Sequence, residues 1–260
     1  MKVYWFSTTK IIQITIVSML VLISAFYSYT QKDAALSVFL VEKRELPIYS
    51  VETNEKKVAI SFDAAWGIEF TEDILRILRE RDIKTTFFLV GFWIDAHPDM
   101  LKRIADEGHE IGNHSTTHPN MAKLNEEQIR IELNTTQAKI ERLALDRAVK
   151  LFRPPFGAYN NRLIAVCNDL GFQVIQWDVD SLDWKEYGAE HLYRQVTEKV
   201  KSGSIVLFHN NAKYITQALP GILDNILERG YRIVPISELV YEDNYYIDHT
   251  GRQIKIEKAD

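Results

Sequence analysis

The sequence predicts an α/β fold, with a parallel sheet that is either doubly wound or closed into a barrel, preceded by one transmembrane helix. Two observations lead to this prediction. From Lys57 onward, short apolar runs alternate with amphipathic, helix-like segments. Ahead of them, the nineteen residues from Ile11 to Tyr29 carry no charge, and that length is about what spans the hydrocarbon core of a bilayer.

The N-terminal apolar segment is interpreted as an uncleaved signal anchor. Lys2 and Lys10 precede it, and the positive-inside rule then places the N-terminus in the cytoplasm and the rest of the chain outside. A cleaved signal peptide is the alternative. It is less favoured because no clear small-x-small cleavage site follows the apolar run.

The elements of the α/β region follow from the apolar pattern and from the glycines that end several helices. The strand candidates are residues 57–63, 84–90, 109–112, 150–153, 172–177, 204–209 and 231–236. The helix candidates are residues 71–82, 97–108, 125–147, 160–171, 189–203 and 216–230. Regular strand–helix alternation of this kind is typical of parallel sheets.

Composition excludes several classes of protein. The 260 residues carry a formal net charge of −5, so a nucleic-acid partner is not expected. The single cysteine, Cys167, rules out an intramolecular disulfide and lies in an apolar pattern typical of a core thiol. No G-x-G-x-x-G follows the first strand, which weakens a dinucleotide-binding interpretation.

Polar residues fall at the carboxyl ends of the predicted strands. In α/β sheets and barrels these ends share one face, and functional sites form there. The residues are Asp63 after the first strand, His114 and His118 after the third, Arg153 after the fourth, Asp178, Asp180 and Asp183 after the fifth, and His209 at the end of the sixth. Their common position is the signal, since each alone could be structural.

Three relationships are expected within this cluster. His114 and His118 are four residues apart, a spacing suited to one metal ion, and Pro119 predicts a tight turn rather than a continuing helix. Arg153 is expected to hold the carboxylate of Asp63. Asp183 is expected to orient His209.

Five stretches, "SFDAAW", "HSTTH", "RPPFG", "DSLDW" and "LFH", occur in this order. Together they resemble the polysaccharide deacetylase family, also called NodB-homology or carbohydrate esterase family four, over roughly residues 57–240. The resemblance implies a distorted (β/α)7-type barrel and an amidase that removes N-acetyl groups from amino sugars with a divalent metal, Zn²⁺ or Co²⁺. The anchor together with "SFDAAWG" looks like the PdaB-type sporulation subgroup.

The resemblance also implies roles for individual residues. His114 and His118 bind the metal, Asp63 is the general base and Arg153 orients it. His209 is the general acid, tuned by Asp183. The remaining implied roles are an oxyanion contact from the backbone N–H of Phe156 and an acetyl pocket lined by Trp184 and Leu207.

On this basis we expect a signal anchor at 1–30, a stem at 31–56 containing a short strand at 36–41, a deacetylase domain at 57–242 and a C-terminal tail at 243–260. The expected location is the cell membrane, with the catalytic domain outside the cytoplasm. For a sporulation protein, that means the intermembrane space of the forespore. The expected partners are a peptidoglycan substrate and the membrane, and the oligomeric state stays open.

Ala64 is the departure from the family pattern, because the family usually has a second acid there that completes the set of metal ligands. An alanine methyl cannot bind a metal, and the sequence assigns no other residue as a third ligand, although Asn113 is adjacent to His114. The intact set of Asp63, His209, Arg153 and Asp183 nevertheless favours a membrane-anchored peptidoglycan deacetylase. A glycan-binding protein of the same fold with weakened catalysis, or a metal-dependent hydrolase of another ester or amide, stays open.

Overall fold

The computed structural model describes residues 8–30 and 44–256, which belong to two compact units, Met1–Arg44 and Glu45–Asp260. Helix α1, Thr8–Thr30, lies in the first unit. From Thr8 to Tyr29 it is long and apolar enough to cross a membrane, which confirms the predicted N-terminal apolar helix. The strand predicted at 36–41 lies outside the described residues.

A curled parallel sheet forms the centre of the second unit. Its strands are β2 (Lys57–Ala64), β3 (Thr86–Leu89), β4 (Glu110–Asn113), β5 (Ala148–Phe152), β6 (Gln173–Val174), β7 (Val179–Asp180), β8 (Ile205–His209) and β9 (Arg232–Val234). Seven of them run in the order β6-β5-β4-β3-β2-β8-β7, and β9 pairs with the start of β2. The sheet is therefore an incomplete barrel that is open between β6 and β7, and the predicted α/β class with a distorted barrel is confirmed.

Helices cover the outer face of this sheet, as expected for parallel strands joined by crossovers. They are α2 (Thr71–Arg79), α3 (Gly91–Ala96), α4 (Pro98–Asp106), α5 (Glu126–Ala144), α6 (Asn161–Asp169), α7 (Ala189–Thr197), α8 (Ile215–Glu228) and α9 (Ile236–Leu239). Helix α5 begins with a capping box between Asn125 and Gln128. Cys167 is a buried core thiol on α6.

The alternation of β2 decides which side chains reach the inside of the curled sheet. Ile60, Phe62 and Ala64 belong to the main apolar cluster, which also contains buried residues of α2 and α8. Ala59 packs in a separate inner cluster. Asp63 is on the same face of the strand as Ala59, so its carboxylate points inward although apolar residues flank it on both sides.

A second, three-stranded sheet adds the segments on either side of the predicted domain. Its strands are β1 (Ser50–Val51), β10 (Tyr245–Ile247) and β11 (Arg252–Lys255), in the order β1-β11-β10. The second compact unit runs from Glu45 to Asp260, and the bounds 57–242 for the deacetylase domain stay a prediction. Gly203 allows this packing, because a Cβ there would lie 1.7 Å from the carbonyl oxygen of Val51.

Candidate active site

The polar residues at the strand ends surround one cavity of about 610 Å³ at the carboxyl edge of the sheet. This volume is in the range of small-molecule and sugar-sized sites. The cavity is lined by Asp63, Ala65, Trp66, His114, His118, Pro154, Phe156, Gly157, Trp177, Asp180, Asp183, Trp184, Glu186, Leu207, His209, Asn211, Ala212 and Lys213. Eight of the nine residues predicted for the site line this cavity. The ninth, Arg153, forms an ion pair with Asp63.

Asp63 and Arg153 form a buried ion pair. Arg153 Nη1 donates to Asp63 Oδ1 at 2.8 Å, and the guanidinium is fully buried between the rings of Phe88 and Trp177. Burial alone would raise the pKa of Asp63, but the charge and hydrogen bond of Arg153, together with the nearby His114 and His209, outweigh burial and leave that pKa below its usual value. Asp63 is therefore an ionised carboxylate at neutral pH.

His114 is fixed in one orientation by the backbone. Its Nδ1 lies 2.6 Å from the carbonyl oxygen of Arg153, and since a carbonyl only accepts, Nδ1 must donate. The other ring nitrogen, Nε2, then carries the lone pair and faces Asp63 Oδ2 at 3.5 Å. Burial keeps the pKa of His114 below its usual value, so the imidazole is neutral.

His118 lies in the tight turn that Pro119 predicted. Its backbone φ is 55°, in the left-handed region, and Ser115 in the same turn has φ 68°. The imidazole lies between Trp66 and Phe156, with ring centroids 4.9 Å and 4.7 Å away, and its centroid is 5.0 Å from that of His114. Burial and the nearby His114 lower the pKa of His118 to about 4.

Asp183 holds His209 by two atoms. Its Oδ1 accepts from His209 Nδ1 and its Oδ2 accepts from the His209 backbone N–H, both at 2.7 Å. Burial alone would lower the pKa of His209, but the hydrogen bond and the charge of Asp183 prevail and raise it above 6.5. The second ring nitrogen, Nε2, is therefore free to act as a proton donor toward the cavity.

The three predicted substrate contacts lie at the wall of the cavity. Leu207 is buried on β8, whereas the indole of Trp184 and the ring of Phe156 are exposed. Phe156 adopts φ 60° and ψ 10°, a conformation that L-residues rarely take and that clusters at functional sites. The oxyanion contact of its backbone N–H stays a prediction.

Ala64 and Ala65 differ in where they point. Both belong to the main apolar cluster, but Ala64 is fully buried whereas Ala65 also lines the cavity. The side chain of Asn113 accepts from the backbone N–H of Ser115 and donates to the carbonyl of Leu133, so its amide is engaged in structure.

The motifs imply a divalent metal ion at this site. The side chains of the wall are of the right chemical type to bind it, but there are too few of them. His114 and His118 are neutral and line one wall, which suits a divalent cation of the zinc type. Among residues 8–30 and 44–256, however, no three His, Cys, Asp or Glu side chains converge closely enough to hold a metal ion. His114 and His118 are therefore suitable metal donors, but no third protein ligand accompanies them among the described residues.

Several wall residues were missed because no motif marks them. Glu186 and Lys213 meet across the rim at 3.5 Å, and each is close in sequence to a motif residue, Trp184 or His209. Asp178, grouped with the site by position, instead binds Ser204 and the backbone N–H of Ile205 outside the cavity wall. Glu186 and Lys213 could have been found from the sequence only by their closeness to motif residues.

The sequence is similar to a family model and to related bacterial proteins. A sequence model described as polysaccharide deacetylase matches residues 50–175. The chain is 35% identical over 195 residues to a peptidoglycan-N-acetylglucosamine deacetylase of Bacillus cereus, covering 74% of this chain and 70% of that protein. It is 33% identical over 206 residues to the uncharacterized protein YlxY of Bacillus subtilis, covering 79% of this chain and 64% of that protein.

A solved structure adds a relative of a different kind. It is a CE4 family pseudoenzyme from Bacillus anthracis, with 37% sequence identity and a TM-score of 0.72. The match covers 75% of this chain and 69% of that one.

Proposed function

This chain belongs to the polysaccharide deacetylase family, and we propose that it is a membrane-anchored hydrolase that removes N-acetyl groups from peptidoglycan amino sugars. The observation that supports this best is the pairing of β2 with β8, which places Asp63 in register with His209. One residue is held as an ionised carboxylate and the other as a protonatable imidazole, the combination that amide hydrolysis requires.

Asp63 is the general base in this proposal. Its ionised carboxylate takes a proton from a water molecule, whose oxygen attacks the acetyl carbonyl carbon and forms the new C–O bond. Arg153 keeps the carboxylate ionised and fixes its orientation through Oδ1. A positioned base contributes about 10²–10⁴-fold to the rate.

His209 is the general acid. When the C–N bond breaks, protonated His209 donates from Nε2 to the leaving nitrogen, and the products are acetate and a free amino sugar. Asp183 keeps the proton on Nδ1 and stabilises the imidazolium. Leu207 and Trp184 surround the acetyl methyl, and the backbone N–H of Phe156 donates to the oxyanion.

A divalent cation, Zn²⁺ or Co²⁺, would be held by His114 and His118, which both line the cavity. When bound, it supplies Lewis acidity and lowers the pKa of a water ligand. Both imidazoles are kept neutral by burial, as a ligand must be.

Helix α1 anchors the protein in this proposal. Its length and apolar character suit a single span, and Lys2 and Lys10 in the sequence favour a cytoplasmic N-terminus. The catalytic unit then faces peptidoglycan outside the cytoplasm. A role in spore cortex or cell-wall formation, in the forespore intermembrane space, rests on the resemblance of "SFDAAWG" to the sporulation subgroup.

A second candidate is a glycan-binding protein with weakened catalysis. Ala64 favours it, because the position that usually completes the metal site carries a methyl group here. The similarity to a pseudoenzyme adds weight to this candidate. Against it, the base and the acid are both retained with their positioning partners.

Acetate release separates the two candidates. The full chain in detergent, supplied with Zn²⁺ or Co²⁺, is incubated with purified peptidoglycan. We expect release that falls about 10²–10⁴-fold in Asp63→Asn and is unchanged in Asp99→Asn, an exposed carboxylate on α4. Folded protein that binds peptidoglycan and releases no acetate would establish the glycan-binding alternative.

A further inference from the structure

A glutamate of helix α5 binds the backbone of residues 114–118, which we call the histidine turn. Glu132 Oε2 accepts from the backbone N–H groups of Thr116 and Thr117 at 2.7 Å and 2.8 Å. Glu132 Oε1 accepts from the hydroxyl of Thr117 at 2.7 Å. The hydroxyl of Thr116 donates to the backbone carbonyl of Glu132 at 2.8 Å. Glu132 is therefore bonded to two consecutive residues of this turn, through both its side chain and its backbone.

Helix α3 binds the same turn through its first residues. The backbone N–H of Gly91 donates to the carbonyl of Ser115 at 2.9 Å, and that of Phe92 donates to the carbonyl of Thr116 at 3.1 Å. The two segments lie so close together that a Cβ at position 91 would be 2.9 Å from Thr116 Cα. Both helices therefore hold Thr116, the middle residue of the histidine turn.

The histidine turn needs such support because its backbone conformation is rarely adopted. Ser115 has φ 68° and His118 has φ 55°, both in the left-handed region that disfavours residues with a side chain. Residues in this region persist where the surrounding structure fixes them. The bonds to Glu132 lie between these two residues, so we expect their loss to let the turn relax toward commoner backbone conformations.

The place of His118 in the cavity depends on this backbone more than that of His114 does. The imidazole of His114 is hydrogen-bonded to the carbonyl of Arg153 at 2.6 Å. The imidazole of His118 packs edge-on between the rings of Trp66 and Phe156, at interplanar angles of 68° and 71°. Ring contacts of this kind fix a direction less strictly than a short hydrogen bond does. The turn therefore decides where the His118 side chain lies.

We infer that Glu132 is a positioning residue of this site: through the histidine turn, it holds the imidazole of His118 at the cavity wall. The inference rests on the proposed function for the task of His118, but not for its position. A glutamate suits this role because its two oxygens accept from three donors.

Two substitutions at Glu132 separate its hydrogen bonds from its size. Glutamine can serve the same partners, with its oxygen toward the two N–H groups and its NH₂ group toward the hydroxyl oxygen of Thr117. Leucine has a similar size but leaves all three donors without this acceptor. Glu132→Leu should therefore release the histidine turn, and Glu132→Gln should keep it.

The position of His118 can be measured by NMR with neither substrate nor metal added. The full chain in detergent is labelled with ¹³C in the histidine rings, and the His118 signal is assigned with His118→Ala. The rings of Trp66 and Phe156, at 4.9 Å and 4.7 Å, shift this signal. We expect Glu132→Leu to move it by more than a line width, whereas Glu132→Gln leaves it in place. Acetate release should fall about 10- to 100-fold in Glu132→Leu, as when a residue that orients another is lost.

Asn125→Ala is the matched control on the same helix. It removes the capping box of α5, and the Asn125 side chain bonds Gln128 rather than the histidine turn. This variant should lower the urea midpoint and leave the His118 signal in place. The inference is overturned if Glu132→Leu leaves the signal unmoved, or if Asn125→Ala or Glu132→Gln moves it as far as Glu132→Leu does.

Thr117→Val decides the question if Glu132→Leu does not fold. It removes only the bond to Glu132 Oε1, so we expect a smaller shift of the His118 signal, and a signal that stays in place overturns the inference. Acetate release tests the proposed function separately. Its absence in the unaltered chain would overturn that function and leave the NMR comparison intact.

Discussion

The site contains two buried carboxylates with opposite chemical consequences. Asp63 and Asp183 are each almost inaccessible to solvent, and each is paired with a basic side chain at 2.7–2.8 Å. Asp63 faces Arg153, whose charge is permanent, and so the pKa of the carboxylate is lowered. Asp183 faces His209, whose charge depends on pH, and the carboxylate raises the pKa of that imidazole.

The difference shows how one cavity can hold a base and an acid a few ångströms apart. Burial penalises every charge at this edge of the sheet, so the protonation state of each group depends on its partner. A guanidinium partner yields a carboxylate that is ionised at neutral pH, and a carboxylate partner yields an imidazole whose pKa is raised. Three substitutions test this comparison, and they follow in order of decreasing effect.

Removing the guanidinium of Arg153 should have the largest effect on the stability of the protein. Arg153→Leu leaves Asp63 buried without compensation, which we expect to lower the free energy of unfolding by about 3–5 kcal/mol at neutral pH. Urea denaturation measures it. The loss should shrink as the pH falls, because protonation removes the uncompensated charge of Asp63.

The control is Arg76→Leu on α2, whose ion pairs with Asp73 and Glu80 are exposed. That change should cost less than about 1 kcal/mol. Equal losses for Arg153→Leu and Arg76→Leu would mean that the buried pair has no special role.

Removing the partner of the imidazole should have an intermediate effect that depends on pH. Asp183→Asn removes the largest causes that oppose burial at His209 and leaves only the charges of Asp63 and Asp180, so we expect the pKa of His209 to fall, as followed by NMR of the imidazole. The alkaline limb of acetate release should move to lower pH, because the general acid loses its proton earlier. Unchanged titration of His209 in the variant would contradict the comparison.

The same variant gives a signature in stability. The pKa of His209 is raised in the folded protein above its ordinary value of 6.5, so the charged pair stabilises the fold fully below that value. This contribution is lost as the pH rises through the raised pKa. We expect Asp183→Asn to cost about 1.5–3 kcal/mol at acidic pH and less at alkaline pH, measured by urea denaturation.

A change at the cavity rim should affect stability least. Trp184 is exposed, so Trp184→Ala should change the free energy of unfolding by less than about 0.5 kcal/mol. We expect the affinity for N-acetylglucosamine oligomers to fall by about 0.5–1.5 kcal/mol, measured by calorimetry. Tyr246→Ala, an exposed aromatic residue on β10 outside the cavity wall, should leave the affinity unchanged, and equal losses would mean that Trp184 has no specific contact.

The α/β class, the apolar N-terminal helix and the motif residues of the site could all be predicted from the amino-acid sequence. Apolar periodicity is local, and parallel strands bring their carboxyl ends to one edge, so the order of the strands was enough to assign Asp63, His114, His118 and His209 to one site. Strands β1 and β7 have two residues each and are not among the strand candidates, whereas β6, equally short, lies inside the predicted strand 172–177.

The small sheet and the choice of partners within the site depend instead on tertiary packing. Val51 and Gln253 are about two hundred residues apart, and their pairing depends on the packed core rather than on either segment alone. Likewise, the sequence predicts that Asp63 lies near Arg153, but it does not say which carboxylate oxygen the guanidinium takes or that the other faces the lone pair of His114. Such contacts depend on how side chains are oriented in a closely packed interior, which no single segment of the sequence determines.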